Sequence, residues 1–153
     1  MQNSSAPSAG LVWSRAFPGR LDQAAHARRF VRFLLEDTPC ADDAELIVSE
    51  LAGNALRHTR SGTEGGSFLV EVTLARPPGT PGVRERGGYV GVLISVHDDG
   101  GGGVPRLLDH GTPPGAENGR GLAIVTALAT RVGFQGAPTL GHTVWVYVRT
   151  TSA

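Results

Sequence analysis

Apolar residues recur at every third or fourth position in two stretches of the first half of the chain, which is the period of an amphipathic helix. The stretch 21–37 carries them at Ala24, Ala27, Phe30, Val31, Leu34 and Leu35. The stretch 43–59 carries them at Leu46, Ile47, Leu51, Ala55 and Leu56. Asp42 and Glu45 have the spacing of a capping box, which predicts that Asp42 caps this second helix. Gly53, inside the same helix, indicates either a closely approaching neighbour or neutral drift.

The rest of the apolar pattern predicts strands and one more helix. Residues 68–75 alternate, with Phe68, Val70, Val72 and Leu74 on one side. Residues 89–96 are apolar on both faces, which places that strand in the middle of a sheet. The other predicted elements are strands at 11–17, 132–135 and 143–149, a helix at 122–130 opened by Gly119, and loops at 77–88 and 104–118.

This order, β-α-α-β-β-α-β-β, predicts an α+β fold, a two-layer sandwich with three helices on one face of a mixed, mostly antiparallel sheet. We expect one domain over residues 11–150, after a flexible N-terminus at 1–10 that is rich in Ser, Ala and Pro. The aromatic residues expected in its core are Trp13, Phe30, Phe134 and Trp145.

Composition and charge exclude several classes of function. Lys+Arg 14 balance Asp+Glu 14, so the net charge of +0 gives no electrostatic argument for nucleic acid or an anionic membrane. Every basic residue is Arg, which excludes mechanisms that need a Lys, such as the P-loop. The single cysteine, Cys40, excludes disulfide scaffolds and Cys zinc sites. The sequence shows neither a signal peptide nor a membrane span, so we expect a cytoplasmic protein.

Glu50, Asn54 and His58 lie four residues apart, which places them in one row along the second helix, beside its apolar stripe. One interpretation is a hydrated helix edge. The other is a site in which Asn54 offers a carbonyl oxygen to a hard cation and Glu50 offers a carboxylate for proton transfer. His58 is expected to pack or cap the helix, because no second His or Cys lies at zinc spacing.

Two glycine-rich segments follow later in the chain. Asp98-Asp99 and four glycines, Gly100 to Gly103, come directly after the central strand. Glycines there permit positive φ and a close approach to a ligand, and Asp98 is placed to accept a hydrogen bond from an amino group. Gly119-Arg120-Gly121-Leu122 opens the third helix, where free N–H groups and the helix dipole favour an anion such as phosphate. Taken singly, these segments are also typical of a turn and of helix initiation.

Together, the order and separation of these segments resemble the GHKL superfamily of ATP-binding domains, from about residue 21 to residue 148. Residues 50–58 resemble its N-box, with Asn54 at the position of the magnesium-binding Asn. Asp98-x-Gly100-x-Gly102 resembles the G1 box, in which Asp98 corresponds to the carboxylate that contacts the adenine amino group.

The later motifs extend the same resemblance. Gly119-x-Gly121, with Arg120 and Leu122, resembles the G2 box, whose backbone holds the phosphates. Thr143 corresponds to a threonine often found near adenine. The resemblance implies a Bergerat-type ATP-binding fold with ATP and Mg²⁺ as cofactors. It also implies that the loop 104–118 is an ATP lid, which we expect to become ordered when nucleotide binds.

The residues of these motifs are most similar to those of stand-alone bacterial anti-sigma factors with serine/threonine kinase activity, of the actinobacterial type. No phosphoacceptor helix pair precedes the motifs, so we expect such a member rather than a full histidine kinase. The resemblance implies that the chain phosphorylates a Ser or Thr of a STAS-type anti-anti-sigma protein, with Glu50 as the general base, and that it sequesters a sigma factor.

Several alternatives stay open at this point. The best-known kinase members carry a basic residue where this chain has Glu117 and Asn118, which favours a nucleotide-responsive interaction module without significant kinase activity. A structural domain that binds nothing is a third, weaker interpretation. Family members often dimerise near the first strand, so a homodimer through Arg15 and Phe17 remains open.

The arginines of the first helix have two interpretations as well. Arg28, Arg29 and Arg32 form either a solvated helix face or a contact with an acidic surface of a sigma factor or its antagonist.

Overall fold

The computed structural model describes residues 11–75, 91–101, 117–137 and 139–149. The elements follow in the order β1 (Leu11–Pro18), α1 (Gln23–Leu35), α2 (Ala41–His58), a 3₁₀ turn (Arg60–Gly62), β2 (Ser67–Ala75), β3 (Gly91–His97), α3 (Glu117–Leu128), β4 (Arg131–Ala137) and β5 (Gly141–Arg149). The predicted order of strands and helices is confirmed. The N-terminus 1–10, the loop 77–88 and most of the expected lid, residues 104–116, lie outside the described residues.

The strands form one five-stranded sheet in the order β1-β2-β3-β5-β4. β3 lies in the middle, as its two apolar faces predict. All four neighbouring pairs are antiparallel, so the sheet of the described residues is antiparallel rather than mixed. The α+β sandwich is confirmed.

The core lies between the sheet and the helices. In β2, Phe68, Val70, Val72 and Leu74 are all buried, as the alternation predicts. Of these, Val70, Val72 and Leu74 pair in register with buried residues of β3, which pair in turn with β5: Ile94, for example, lies between Val72 and Val146. The helices contribute buried residues at helical spacing, listed from α1 as Ala27, Val31 and Leu35 and from α2 as Ala44, Ile47, Val48, Leu51, Ala52, Ala55 and Leu56.

Phe17 of β1 belongs to this core. Its ring stacks on Phe68 with 5.3 Å between centroids and meets the edge of Phe30 at 5.9 Å. Only 1% of Phe17 is exposed, so it has almost no surface to offer a second copy. Arg15 is exposed and lies over the Phe17 ring, on the edge strand of the sheet.

The start of α2 differs from the prediction. The helix begins at Ala41, and Cys40 occupies the capping position without a side-chain hydrogen bond. Asp42 and Glu45 bind Arg32 of α1 instead, at 2.6 and 2.7 Å. The capping box was therefore wrong, because a tertiary ion pair takes up both carboxylates.

Two of the three arginines of α1 contact α2 and do not form a purely solvated helix face. Arg32 connects the two helices, and these carboxylates raise the pKa of its guanidinium through hydrogen bonds from Asp42 first and Glu45 second. Arg28 donates to Ser49 of α2 at 3.3 Å, and Arg29 is exposed.

Other local predictions need correction. α3 begins at Glu117 rather than 122, so Glu117 and Asn118 belong to the helix and not to a loop. Leu46 is largely exposed, and Phe134 is 38% exposed rather than in the core. Trp13 and Phe30 pack against the core, as expected. Trp145 is half-buried on the other face of the sheet, where its ring covers Gly133.

Gly53 has no close neighbour from another element among the described residues. A Cβ at this position would meet the side chain of Arg57, one turn along the same helix, at 3.1 Å. Close approach of a neighbouring element therefore does not account for this glycine.

Candidate functional site

The polar row on α2 lies at the margin of the core. Glu50 and Asn54 are half-buried, and His58 is exposed at the end of the helix. Neither Glu50 nor Asn54 makes a side-chain hydrogen bond to another described residue. Because α2 packs against β2, β3 and α3, the row lies where the helix layer meets the sheet. Two polar groups are thus held at a packed position with their hydrogen-bonding capacity unused.

The turn after β3 is built around Asp98. Its Oδ1 accepts hydrogen bonds from the backbone N–H of Gly100 at 2.7 Å and of His142 at 3.1 Å. Gly100 and Gly101 have φ of +75° and +93°, so the expected positive φ of these glycines is confirmed. Gly102 lies outside the described residues. The carboxylate is therefore fixed at one oxygen, and no described donor reaches Oδ2.

The turn after α2 is bonded to the turn after β3. The backbone N–H of Arg60 donates to Gly100 O at 2.7 Å, and Asp99 N donates to Ser61 Oγ at 2.8 Å. The Arg60 guanidinium donates to Asp99 O through Nε and Nη2 at 3.2 and 2.9 Å. Asp99 Oδ2 accepts from Ser67 N at 3.0 Å. These bonds hold the C-terminal end of the Glu50–Asn54 helix against the Asp98 turn.

Arg60 and Ser61 are not among the site residues predicted from the sequence. Both lie in the turn after the N-box, two and three residues beyond His58 at the end of α2. Glycines tighten the same junction: a Cβ at Gly62 would lie 1.8 Å from Leu56 O. No local pattern indicates that these residues bond to a turn about 40 positions later.

The start of β5 places His142 and Thr143 on opposite faces of the sheet, since side chains alternate along a strand. Thr143 pairs with His97, and its Oγ1 is 2.7 Å from His97 Nδ1. His142 lies beside Asp98, with Nδ1 3.4 Å from Oδ1. Thr143 therefore does not share a face with the Asp98 carboxylate, and the residue that does is His142.

His142 is buried with its ring nitrogens unpaired. It is 3% exposed, and neither Nδ1 nor Nε2 has a hydrogen-bond partner among the described residues. The 3.4 Å separation from Asp98 exceeds the usual range of an N–H···O bond. An unsatisfied buried polar group costs about 1–3 kcal/mol. Buried polar groups of this kind are normally paired with protein, ordered water or a ligand.

The backbone of α3 supplies the third part of the site. Gly119 is the third residue of the helix and Gly121 the fifth. The N–H groups of a first helical turn have no acceptor within the helix, which includes the N–H of Gly119, whereas the N–H of Gly121 falls beyond that turn. The predicted site residues Arg120 and Leu122 also lie in this helix. α3 packs against α2, the helix that carries Asn54.

The donor set suits a cation that arrives with a nucleotide. No group of three or more His, Cys, Asp or Glu residues within the described ranges is arranged to hold a metal ion. Mg²⁺ commonly takes one or two protein oxygens, with phosphates and water completing its coordination. The unbonded, half-buried amide of Asn54 fits that requirement.

A helix with a free Glu–Asn pair, a glycine turn around a buried carboxylate and a glycine-rich helix start, set on an α+β sandwich, define an ATP-binding domain of the GHKL type. Comparison with protein families gives the same result: the histidine kinase-like ATPase domain matches residues 17–148. The chain belongs to this family. A search of curated proteins found no match. Within the ranges that the structure describes, no helix has the length and apolar character required to cross a membrane.

Proposed function

We propose that the chain is a cytoplasmic anti-sigma regulator that uses ATP and Mg²⁺ to phosphorylate a Ser or Thr of a STAS-type anti-anti-sigma protein, and that sequesters a sigma factor. The observation that supports it best is the pair of unbonded side chains Glu50 and Asn54, one turn apart on a helix whose end is bonded to the Asp98 turn. A general base and a metal ligand are the two groups that phosphoryl transfer to a hydroxyl requires beside a bound nucleotide.

The residues of the site have distinct roles in this mechanism. Asp98 orients the base of the nucleotide, and the backbone at Gly119 donates to its phosphates. Asn54 would hold Mg²⁺, which neutralises phosphate charge when it is bound. Glu50 accepts the proton of the partner's hydroxyl as that oxygen forms its bond to the γ-phosphorus and the bond to ADP breaks.

The experiment is to incubate the full chain with γ-labelled ATP, Mg²⁺ and each STAS protein encoded by the same genome. We expect label on one of them, and no label when its acceptor Ser or Thr is replaced by Ala. The matched control variant is Glu36→Gln, which removes an exposed carboxylate at the end of α1 and should leave transfer unchanged. Absence of label on every candidate, in a preparation that binds ATP, would overturn the kinase proposal.

A second function is favoured by Glu117, the first residue of α3. The best-known kinases of the family carry a basic residue just before the first glycine of the G2 box, where this chain has Glu117 and Asn118. The acidic Glu117 stands two positions before the proposed phosphate-binding Gly119 in the sequence, where a basic residue would favour phosphoryl transfer and an acidic one would not. The chain would then be a nucleotide-responsive interaction module. Retention of a sigma factor or STAS protein with ATP, without transfer of label, would distinguish this function from the first.

A further inference from the structure

The turn that presents Asp98 contains two glycines, which have little conformational preference of their own. Gly100 and Gly101 both have positive φ, and glycine loses more conformational freedom on folding than any other residue. The carbonyl groups of Asp99 and Gly100 accept hydrogen bonds from outside the turn, in both cases from Arg60. The conformation of the turn therefore depends in part on a residue two positions past the end of α2.

The guanidinium of Arg60 bridges two loops that meet at Asp98. Its Nε and Nη2 donate to Asp99 O at 3.2 and 2.9 Å, and Nη2 also faces Thr139 O at 3.5 Å, in the hairpin between β4 and β5. That hairpin ends at Gly141, where a Cβ would lie 2.4 Å from Asp98 O. The hairpin and the turn thus touch at Asp98, and one side chain reaches both of them.

An arginine suits this position better than a lysine does. The guanidinium carries several N–H donors in one rigid plane and can bond the carbonyls of two loops, whereas an ammonium is a compact charge on a flexible stem. Gly101 leaves room for the aliphatic part of the side chain, because a Cβ there would lie 2.7 Å from Arg60 Cγ. Arg60 therefore lies along the turn, although it is an exposed residue.

We propose that Arg60 is a positioning residue of the nucleotide site, which holds the Asp98 turn against the β4–β5 hairpin so that the base binds to loops that are already ordered. The inference rests on ATP binding at this turn. Arg60 acts through the two loops, since its guanidinium donates to Asp99 O and faces Thr139 O. Preorganised loops lower the ordering cost of binding. Loss of the side chain should therefore weaken binding of the nucleoside and leave the contribution of the phosphates unchanged.

The test measures the dissociation constants of adenosine and of ATP with Mg²⁺ for the full chain and its Arg60→Ala and Arg60→Lys variants. We expect Arg60→Ala to bind both ligands about five- to tenfold more weakly, by the same factor, and Arg60→Lys to recover only part of the loss. Arg20→Ala is the matched control, because Arg20 is an exposed arginine paired with Asp22, and it should bind as the unmodified chain does. Unchanged affinity in a folded Arg60 variant, or a loss for ATP without a loss for adenosine, overturns the inference.

Amide hydrogen exchange without nucleotide separates positioning from a loss of overall stability. The N–H groups of Gly100 and His142 both donate to Asp98 Oδ1, so their exchange reports on the turn. In Arg60→Ala these two should exchange faster, while Ile94 in the central strand keeps its protection. Equal acceleration at Ile94 would show a merely structural role and overturn the inference. If Arg60→Ala does not fold, the same measurements on Arg60→Lys decide, with a smaller change of the same kind expected. Failure of the unmodified chain to bind either ligand instead contradicts ATP binding itself.

Discussion

Glu50 is the residue on which proton transfer depends in the proposed mechanism. Its carboxylate is half-buried, has no described hydrogen-bond donor, and lies one turn from Asn54 on α2. A carboxylate that is positioned but not neutralised by a neighbouring cation remains able to accept a proton. In contrast, two acidic residues near the start of α2, Asp42 and Glu45, are paired with Arg32.

We therefore expect Glu50→Gln to lose most phosphoryl transfer and to keep nucleotide affinity. General-base assistance is typically worth about 10²–10⁴-fold in rate, and the amide preserves size and hydrogen bonding. The measurements are the rate of label transfer to the STAS partner and the dissociation constant for ATP. Transfer at the unmodified rate would show that Glu50 is not the base.

Cys40 allows a prediction about reactivity and pH. Burial raises the pKa of its thiol, with a smaller opposing effect from the hydrogen bond to Thr38. The thiolate is the reactive form, so iodoacetamide at pH 7.5 should modify the folded chain much more slowly than the chain in denaturant. Equal rates, followed by mass spectrometry, would contradict this.

The raised pKa of Cys40 also makes stability depend on pH. Because the thiol ionises more readily in the unfolded chain, its contribution to stability is complete below the ordinary thiol pKa. That contribution is lost as the pH rises from the ordinary pKa through the raised pKa of the folded chain. The Cys40→Ala variant should lack this part of the alkaline loss of stability.

At the scale of elements, the junction between α2 and the turn after β3 holds the site together. Ser61 is fully buried, and its Oγ accepts the Asp99 N–H at 2.8 Å. Ser61 Oγ is the only described acceptor for that N–H. The geometry of the Asp98 turn therefore depends on a side chain from outside the glycine motif.

Ser61→Ala should lower the free energy of unfolding by about 1–3 kcal/mol, because it leaves the Asp99 N–H without its acceptor. It should also weaken ATP binding, since the Asp98 turn loses one anchor. Urea unfolding and ATP titration measure the two effects. Ser49→Ala is the control: it removes only a 3.3 Å contact with Arg28, and its effect should stay within about 0.5 kcal/mol. Equal stability of the two variants would contradict the anchoring role.

Local periodicity predicted most elements of this fold but not the partners of their ends. The apolar spacing of α1, α2 and β2 decides which face each one buries, so these elements were predictable from short stretches. The capping box failed because Asp42 is bound by a residue ten positions earlier, and a short-range pattern does not contain that contact.

The residues of the site were likewise only partly predictable from short stretches of sequence. The motifs predict roles for Asn54, Asp98 and Gly119, because the spacing of these residues is a property of the sequence. The face that Thr143 presents depends on strand register, and a shift of one residue reverses it. In this fold His142, and not Thr143, lies beside Asp98.

At the scale of the whole molecule, the site joins parts of the chain that lie far apart in sequence. α2, the turn after β3 and the start of β5 meet around it, and α3 packs against α2. A ligand that contacts all of these parts binds the folded state and not the unfolded chain. Nucleotide binding should therefore stabilise the whole domain against unfolding.

ATP with Mg²⁺ at 100 times its dissociation constant should stabilise the chain by about 2.7 kcal/mol, which corresponds to a rise in Tm of roughly 5–10 °C for a domain of this size. Scanning calorimetry with ATP measures it, with and without Mg²⁺. Asn54→Ala should lose the part of the rise that requires Mg²⁺. His58→Ala, one turn further along the same row and exposed, should keep all of it. If Asn54→Ala retains the full Mg²⁺-dependent rise, Asn54 does not hold the metal.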